Sequence, residues 1–532
     1  MLQNLDQKYL VKLTSFTFVV GVVIASFSQS LTAAEPAIRP AKTSPNILII
    51  YADDMGYGDM GANNPKSKIP TPNMDQLAAS GMRFIDGHSS SGICTPSRYA
   101  LLTGRHHWRK FHGITGSFDD CIIDAEQLTV PEMLKTKGYT TAQIGKWHLG
   151  MGWDAIRNEG VEDVDSVHNG KKRKAKTPDS YDWSKQIPNG PLAHGFDYSF
   201  TDCVINFPPY TWIENDKVVE APTVMMDTKL WKPIKEGNWE CRPGPMAASW
   251  DPYENIPTLT KKAVAYINRQ AENEAPFFLY FAFPSPHAPI VPNDQFDGKS
   301  AAGPYGDFVY ETDDSVGQIL AALEASGKAD NTLIIFTADN GPEHYAYERD
   351  KKYDHWSSGP FRGIKRFIYE GGHHVPYVVK WPGVTEAGAV SDALVSQIDI
   401  MATLAAVVDY ELPKDQAEDS HNLLPLLEGS KKSVRTVHIH NTFADEYGIR
   451  QGDWVLINYP KVAKKGGNIV KAWAEKHGYP VEKGKVGMLY NLKEDIGQRH
   501  DVSDQYPEKV EAMQSLLTQI REQGYSAPHA AK

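Results

Sequence analysis

The feature that most constrains this chain is a set of short apolar runs separated by helical patterns. The clearest is Asn46-Ile47-Leu48-Ile49-Ile50-Tyr51, which ends in Asp53-Asp54, and similar runs recur at 140–144, 277–283 and 333–337. A continuous apolar run of this length reads as a strand buried on both faces, as in a parallel sheet. Helical periodicity at 74–80, 130–137, 257–272 and 316–326 separates the runs. The expected fold is therefore α/β, a large, mixed, mostly parallel sheet sandwiched by helices. Ligands of such sheets bind beyond the carboxyl ends of strands, which is where the polar clusters of this chain fall.

The pattern changes after Asn422. Short strands are expected at 434–440, 449–459 and 488–491, then a helix at 507–523. These features divide the chain into a main domain, 46–421, and a small α+β C-terminal subdomain, 422–532. Two segments read as inserted loops: 154–190, with the basic run Lys171-Lys172-Arg173-Lys174-Ala175-Lys176, and 201–256, rich in Trp, Pro and Tyr. Residues 1–34 read as a secretory signal, with Lys8 and Lys12 ahead of an apolar stretch and Thr32-Ala33-Ala34 for cleavage. The apolar core is shorter than the roughly 20 residues that span a bilayer. The expectation is a periplasmic or secreted protein without stable membrane insertion, joined to its signal by a linker at 35–45. A net charge of −11 gives no general attraction to nucleic acid, so an anionic substrate must meet a local basic pocket. Four cysteines, Cys94, Cys121, Cys203 and Cys241, are too few for a disulfide scaffold.

The chemistry concentrates in a few motifs. Cys94-Thr95-Pro96-Ser97-Arg98 leads into Tyr99-Ala100-Leu101-Leu102-Thr103-Gly104-Arg105. It places a cysteine at a helix start, with Pro96 in the first turn and Arg98 one turn on, an environment expected to favour negative charge at 94. Gly138-Tyr139-Thr140-Thr141 continues to Gly145-Lys146-Trp147-His148-Leu149-Gly150, a strand whose glycine turn presents Lys146 and His148 together. Asp53-Asp54 and Asp339-Asn340 end two of the apolar runs, an oxygen-only donor set that suits Ca²⁺ or Mg²⁺. His287 stands in a proline-rich loop past a third run, and Lys365 in Gly363-Ile364-Lys365 ahead of Glu370-Gly371-Gly372.

These motifs resemble those of the type I, formylglycine-dependent sulfatases, arylsulfatase-like members of the alkaline phosphatase superfamily. C-x-P-S-R with L-x-T-G-R and G-Y-x-T with G-K-W-H-L-G both match completely, and the resemblance runs from about Asn46 to Val502. One departure is His374, where the family element continues with an arginine. The resemblance implies that Cys94 is oxidised to formylglycine by a formylglycine-generating enzyme. It makes Asp53, Asp54, Asp339, Asn340 and residue 94 the ligands of one calcium ion. Related two-zinc phosphatases carry Asp-His where this chain has Asp339-Asn340.

It further implies sulfate-ester hydrolysis in which a hydroxyl of the aldehyde hydrate attacks sulfur. Lys146, Lys365 and His287 would bind the sulfate group, with Arg98 supporting residue 94 and the metal. His287, with Lys365, is the candidate acid for the leaving alcohol, and His148 takes the proton that expels sulfate. The expected substrates are sulfated carbohydrates, an algal polysaccharide such as carrageenan or a glycosaminoglycan, with aryl sulfates as surrogates. A phosphatase or phosphonate hydrolase is the alternative on the same fold. The basic run 171–176, the ring group Tyr345, Tyr347, Tyr353 and Trp356, and the segment His106, His107, Trp108, Arg109 and His112 are candidate substrate contacts.

Overall fold

In the computed structural model, which describes residues 44–202, 204–443, 446–458, 470–479 and 487–531, Asn46–Ala52 lies in the middle of a ten-stranded sheet. From edge to edge the strands are Ala389–Ser391, Met82–Phe84, Tyr377–Lys380, Thr332–Ala338, Asn46–Ala52, Phe277–Ala282, Thr140–Gly145, Tyr198–Thr201, Ile213–Glu214 and Lys217–Val218. The five from Thr332–Ala338 to Tyr198–Thr201 are parallel neighbours, and antiparallel pairs adjoin them on both sides. The expected signal segment lies outside the described residues.

Side chains alternate along the central strands. Ile47, Ile49 and Tyr51 join Phe278 and Tyr280 in one apolar layer, and Leu48, Ile50 and Ala52 join Leu279 and Phe281 in the other. The first layer is covered by the helices Cys94–Thr103, Val130–Lys135 and Ile400–Val407, the second by Pro72–Ser80, Asn255–Gln270 and Gly303–Ala325. Burial on both faces is what made these strands continuous apolar runs.

Three expectations need correction. The helix expected at 316–326 begins at Gly303, because its first half buries Asp307, Glu311, Thr312 and Asp313 and so hides the apolar period. Asp313 accepts the Asn73 and Met74 N–H groups at 3.1 and 2.8 Å, capping the helix Pro72–Ser80. The single strand expected at 449–459 is a hairpin, Tyr447–Gln451 and Trp454–Asn458, reversed at Gly452. The loop expected at 154–190 contains another, Val164–His168 with Lys171–Ala175, turned by Asn169 and Gly170 at positive φ.

The C-terminal sheet runs Val437–Asn441, Tyr447–Gln451, Trp454–Asn458, Met488–Asn491, all antiparallel. The helix Pro507–Gln523 packs Met513, Leu517 and Ile520 against it. Arg435, at its entry, is fully buried against Asp399, with Nε 2.9 Å from Oδ2, and also donates to Asp419 O at 2.8 Å. No helix among the described residues is long and apolar enough to cross a membrane.

Candidate active site

Backbone bonds past the strand ends assemble the site. Asp339 N–H donates to Ala52 O at 3.0 Å, Lys146 N–H to Ala282 O at 2.8 Å and Asp53 N–H to Ser285 O at 3.0 Å. Asp53-Asp54, Lys146, Asp339-Asn340 and the loop of His287 are thereby held side by side at the carboxyl ends of four parallel strands. Gly145 has φ 102°, and a Cβ there would lie 1.9 Å from Ala282 O, so glycine alone fits this turn. Asp54, His148 and Arg366 adopt φ of 63, 55 and 73°, the left-handed region that non-glycine residues seldom occupy.

Cys94 opens the helix Cys94–Thr103, every residue of which is buried. Its Sγ lies 3.7 Å from Asp53 Oδ1. Burial first, and Asp339 second, push the Cys94 thiol far above its usual range, although Lys146 and Lys365 act against them. Burial first, with the carboxylates behind it, thus works against the negative charge at 94 that the helix start and Arg98 were expected to favour. The encoded thiol stays protonated, and a thiol is a poor nucleophile.

Buried charges pair off around it. Arg98 donates to Asp339 Oδ2 at 2.8 Å and approaches Asp53 Oδ2 at 3.5 Å. Lys146 Nζ bonds Asp53 Oδ2, and Lys365 Nζ lies 2.6 Å from Asp54 Oδ1. Asn340 Nδ2 donates to Asp54 Oδ1 at 2.7 Å, leaving Asn340 Oδ1 buried without a partner among the described residues. Asp53, Asp54, Cys94 and His287 each offer a ligand atom within 4.8 Å of the others. Burial, then Asp53, raises Asp339 to about 6, although Arg98 and Lys146 oppose this. Crowded carboxylates and an orphaned amide oxygen fit a hard divalent cation.

The two imidazoles differ. His148 Nε2 lies 3.2 Å from Thr115 O, and its Nδ1 is buried without a partner among the described residues. Burial, then Lys146, holds it well below the usual histidine range, so neutral His148 donates from Nε2 and keeps a lone pair on Nδ1. His287 Nδ1 lies 2.5 Å from Ala288 O and its Nε2 3.7 Å from Asp54 Oδ2. Burial and Lys365 bring His287 down to about 4.

Cys94, His148, His287 and Lys365 line one cavity of about 310 Å³. His168, Asn169 and Arg242 line it too and also line a second cavity, about 640 Å³, whose wall carries Lys171, Arg173, Lys174 and Lys176.

The family profile described as Sulfatase matches residues 45–410, and the profile for the C-terminal region of N-sulphoglucosamine sulphohydrolase matches 362–468. The chain belongs to the sulfatase family. Relatives of this sulfatase include an N-acetylgalactosamine-6-O-sulfatase of Bacteroides thetaiotaomicron, 32% identical over 90% of this chain and 93% of that one. Human arylsulfatase A is 32% identical over 92% and 89%. A solved Bacteroides thetaiotaomicron sulfatase from work on glycosaminoglycan metabolism superimposes with a TM-score of 0.74 at 30% identity, over 90% of this chain and 99% of that one. The chain is a sulfuric ester hydrolase with the large mixed sheet of its family.

Two charged residues beside Lys365 escaped the sequence reading of this sulfatase. Glu343 is buried 3.5 Å from Lys365 Nζ, and Arg366, which lines the cavity, holds it at 2.5 and 2.6 Å. Their signal was proximity in sequence, three residues past Asn340 and one past Lys365. Two expected groups of substrate contacts lie elsewhere. His106, His107 and Trp108 are buried, and Arg109 is tied to Asp419 at 2.7 Å, under the C-terminal sheet. Tyr347 and Trp356 pack on Trp473. None of these lines the cavity. His374 donates from Nε2 to Ile85 O at 2.8 Å and meets Glu370 through Nδ1 at 3.1 Å. The guanidinium at that acidic corner is Arg450, 2.6 Å from Asp86. Cys94, Cys121 and Cys241 form no disulfide among the described residues, and Cys203 lies outside them.

Proposed function

We propose that this sulfatase releases sulfate from a sulfated glycan, using a formylglycine that a maturation enzyme makes from Cys94. One Ca²⁺ would be held by Asp53, Asp54, Asp339, Asn340 and residue 94. The hydrated formylglycine would supply the nucleophilic hydroxyl, and the calcium a Lewis acid beside it. Lys146 and Lys365 exchange their carboxylate partners for sulfate oxygens, and Arg98 holds Asp339 in place. His287 delivers a proton from Nε2 to the leaving alkoxide once the bound anion has raised its proton affinity. His148 accepts a proton at Nδ1 from residue 94 as sulfate departs. Export through residues 1–34 would place the enzyme in the periplasm or outside the cell.

The observation that carries the glycan reading is that His168, Asn169 and Arg242 line both the catalytic cavity and a neighbouring one, whose wall carries Lys171, Arg173, Lys174 and Lys176 beside Asp119 and Asp163. An aryl sulfate needs no such wall, whereas a polyanionic chain does. The name of the Bacteroides relative favours 6-sulfated N-acetylgalactosamine in a glycosaminoglycan over carrageenan. The test is sulfate release from 6-sulfated galactosaminoglycan oligosaccharides, carrageenan oligosaccharides, and matched nitrophenyl sulfate and phosphate. Faster turnover of nitrophenyl sulfate than of every oligosaccharide would overturn the glycan assignment. Faster turnover of the phosphate ester would favour a phosphatase.

A further inference from the structure

Five buried histidines meet where the C-terminal sheet packs on the main domain. His88 comes from the Gly87–His88 strand, His373 and His374 from the turn after Glu370, and His438 and His440 from the Val437–Asn441 strand. Ring centroids lie 3.6 Å apart for His373 and His440, 5.0 Å for His88 and His438, and 6.1 Å for His373 and His438.

His88 Nε2 lies 2.7 Å from Asp86 Oδ1, so His88 donates there and keeps its lone pair on Nδ1. That Nδ1 lies 3.1 Å from His373 Nδ1. His438 has no hydrogen-bond partner on either ring nitrogen among the described residues, and His373 Nε2 and His440 Nδ1 have none. One ligand atom from each of His88, His373 and His438 lies within 4.8 Å of the other two. None of the three lines the catalytic cavity.

A chain of neutral imidazoles accounts for the His88–His373 contact and for nothing else here. It leaves His438 buried with two polar nitrogens unanswered, which native interiors avoid. A metal ion answers all three rings at once. Zn–N bonds of about 2.0–2.1 Å in a tetrahedron set neighbouring nitrogens roughly 3.3 Å apart, close to the His88–His373 spacing. Asp86 on the far nitrogen of His88 is the carboxylate–histidine support that metal-bound imidazoles carry. Glu370 offers a further oxygen: its Oε2 is 4.0 Å from His88 Nδ1, and its Oε1 has no partner among the described residues. The Asp86 side is closed to a second ion, because Arg450 already faces that carboxylate at 2.6 Å.

We propose that His88, His373 and His438 bind a divalent transition-metal ion of the zinc class, a structural site separate from the calcium centre. Nitrogen donors suit zinc and its neighbours and not calcium. The site fastens three segments: the strand six residues before Cys94, the turn eight residues after Lys365, and the first strand of the C-terminal sheet.

The test uses full-length protein without a histidine tag, stripped of transition metal with dipicolinate and kept in excess Ca²⁺. Titration with Co²⁺ should give one equivalent bound with a visible ligand-field band, displaced by Zn²⁺, and Zn²⁺ should raise the melting temperature. His438→Gln and His373→Asn should each weaken Co²⁺ binding more than tenfold, and Asp86→Asn about 10–100-fold. Failure of the unmutated protein to take up Co²⁺ or Zn²⁺ would overturn the site even if a variant does not fold. Uptake unchanged in a folded His438→Gln or His373→Asn protein would place the metal elsewhere and overturn it equally.

Discussion

Asn340 Nδ2 donates to Asp54 Oδ1 at 2.7 Å, and the same amide keeps its oxygen buried without a partner. An unanswered buried carbonyl costs about 1–3 kcal/mol, a cost a coordinated cation removes. We predict that chelation abolishes turnover and that Ca²⁺ alone restores it. Calcium at 100 times its Kd should stabilise the fold by about 2.7 kcal/mol, and Asn340→Leu should lose most of that gain in a thermal melt. Full activity in calcium-stripped enzyme would refute the metal assignment.

The buried, protonated thiol of Cys94 predicts that maturation and activity go together. Protein from a host unable to oxidise Cys94, and Cys94→Ala, should each fall at least about 10³-fold in kcat. Peptide mass spectrometry of position 94 reads the modification independently. Activity that does not scale with the aldehyde fraction would contradict the role.

If His287 protonates the leaving oxygen, its importance depends on how badly the alcohol leaves. His287→Asn should cost about 10²–10⁴-fold on a sugar sulfate. On nitrophenyl sulfate, whose phenolate departs unaided, the loss should be far smaller. Equal losses on both would assign His287 to binding.

Acid should unfold this protein early. Burial lowers His106 and His107 to about 3 and His421 to about 4, although Asp419 beside His106 and Asn441 beside His107 act the other way. The unfolded chain binds these protons near pH 6.5, so it takes up protons that the folded form refuses. The stability these histidines contribute is complete above about pH 6.5 and falls as the pH drops towards 4. Melting temperatures at fixed salt and calcium should be flat from pH 7 to 8 and decline steadily below. His107→Asn should make that decline shallower.

Arg435 is 2% exposed and Asp399 fully buried. Removing one partner of such a pair costs about 3–5 kcal/mol because the other charge is stranded. Arg435→Met should lower the unfolding free energy in urea by that amount, and Arg435→Met with Asp399→Leu should recover part of it.

The candidate site was legible because its residues stand where uninterrupted apolar runs stop. Asp53, Lys146 and Asp339 each follow a strand buried on both faces, so run and motif pointed to one sheet edge. What stayed hidden was held by tertiary contact. Asp307 and Asp313 are polar residues that a helix buries, the first holding the loop ahead of it through Gly298 N–H and the second capping the helix Pro72–Ser80, and they masked its period. Glu343 gains meaning only through Lys365 and Arg366. His88, His373 and His438 are scattered over 350 residues of chain (438 minus 88) and meet only when the second sheet docks.

Asn169 and Gly170 turn a surface hairpin whose neighbouring residues belong to both cavities. Changes in the length of that hairpin would shift which basic side chains face inward, since a one-residue slip exchanges the two faces of a strand. The strand ends that carry Asp53, Lys146 and Asp339 belong to the ten-stranded sheet, of which that hairpin is not a part. Preference among glycans could therefore drift through insertions at one exposed turn, while the hydrolytic apparatus passes unaltered from one descendant to the next.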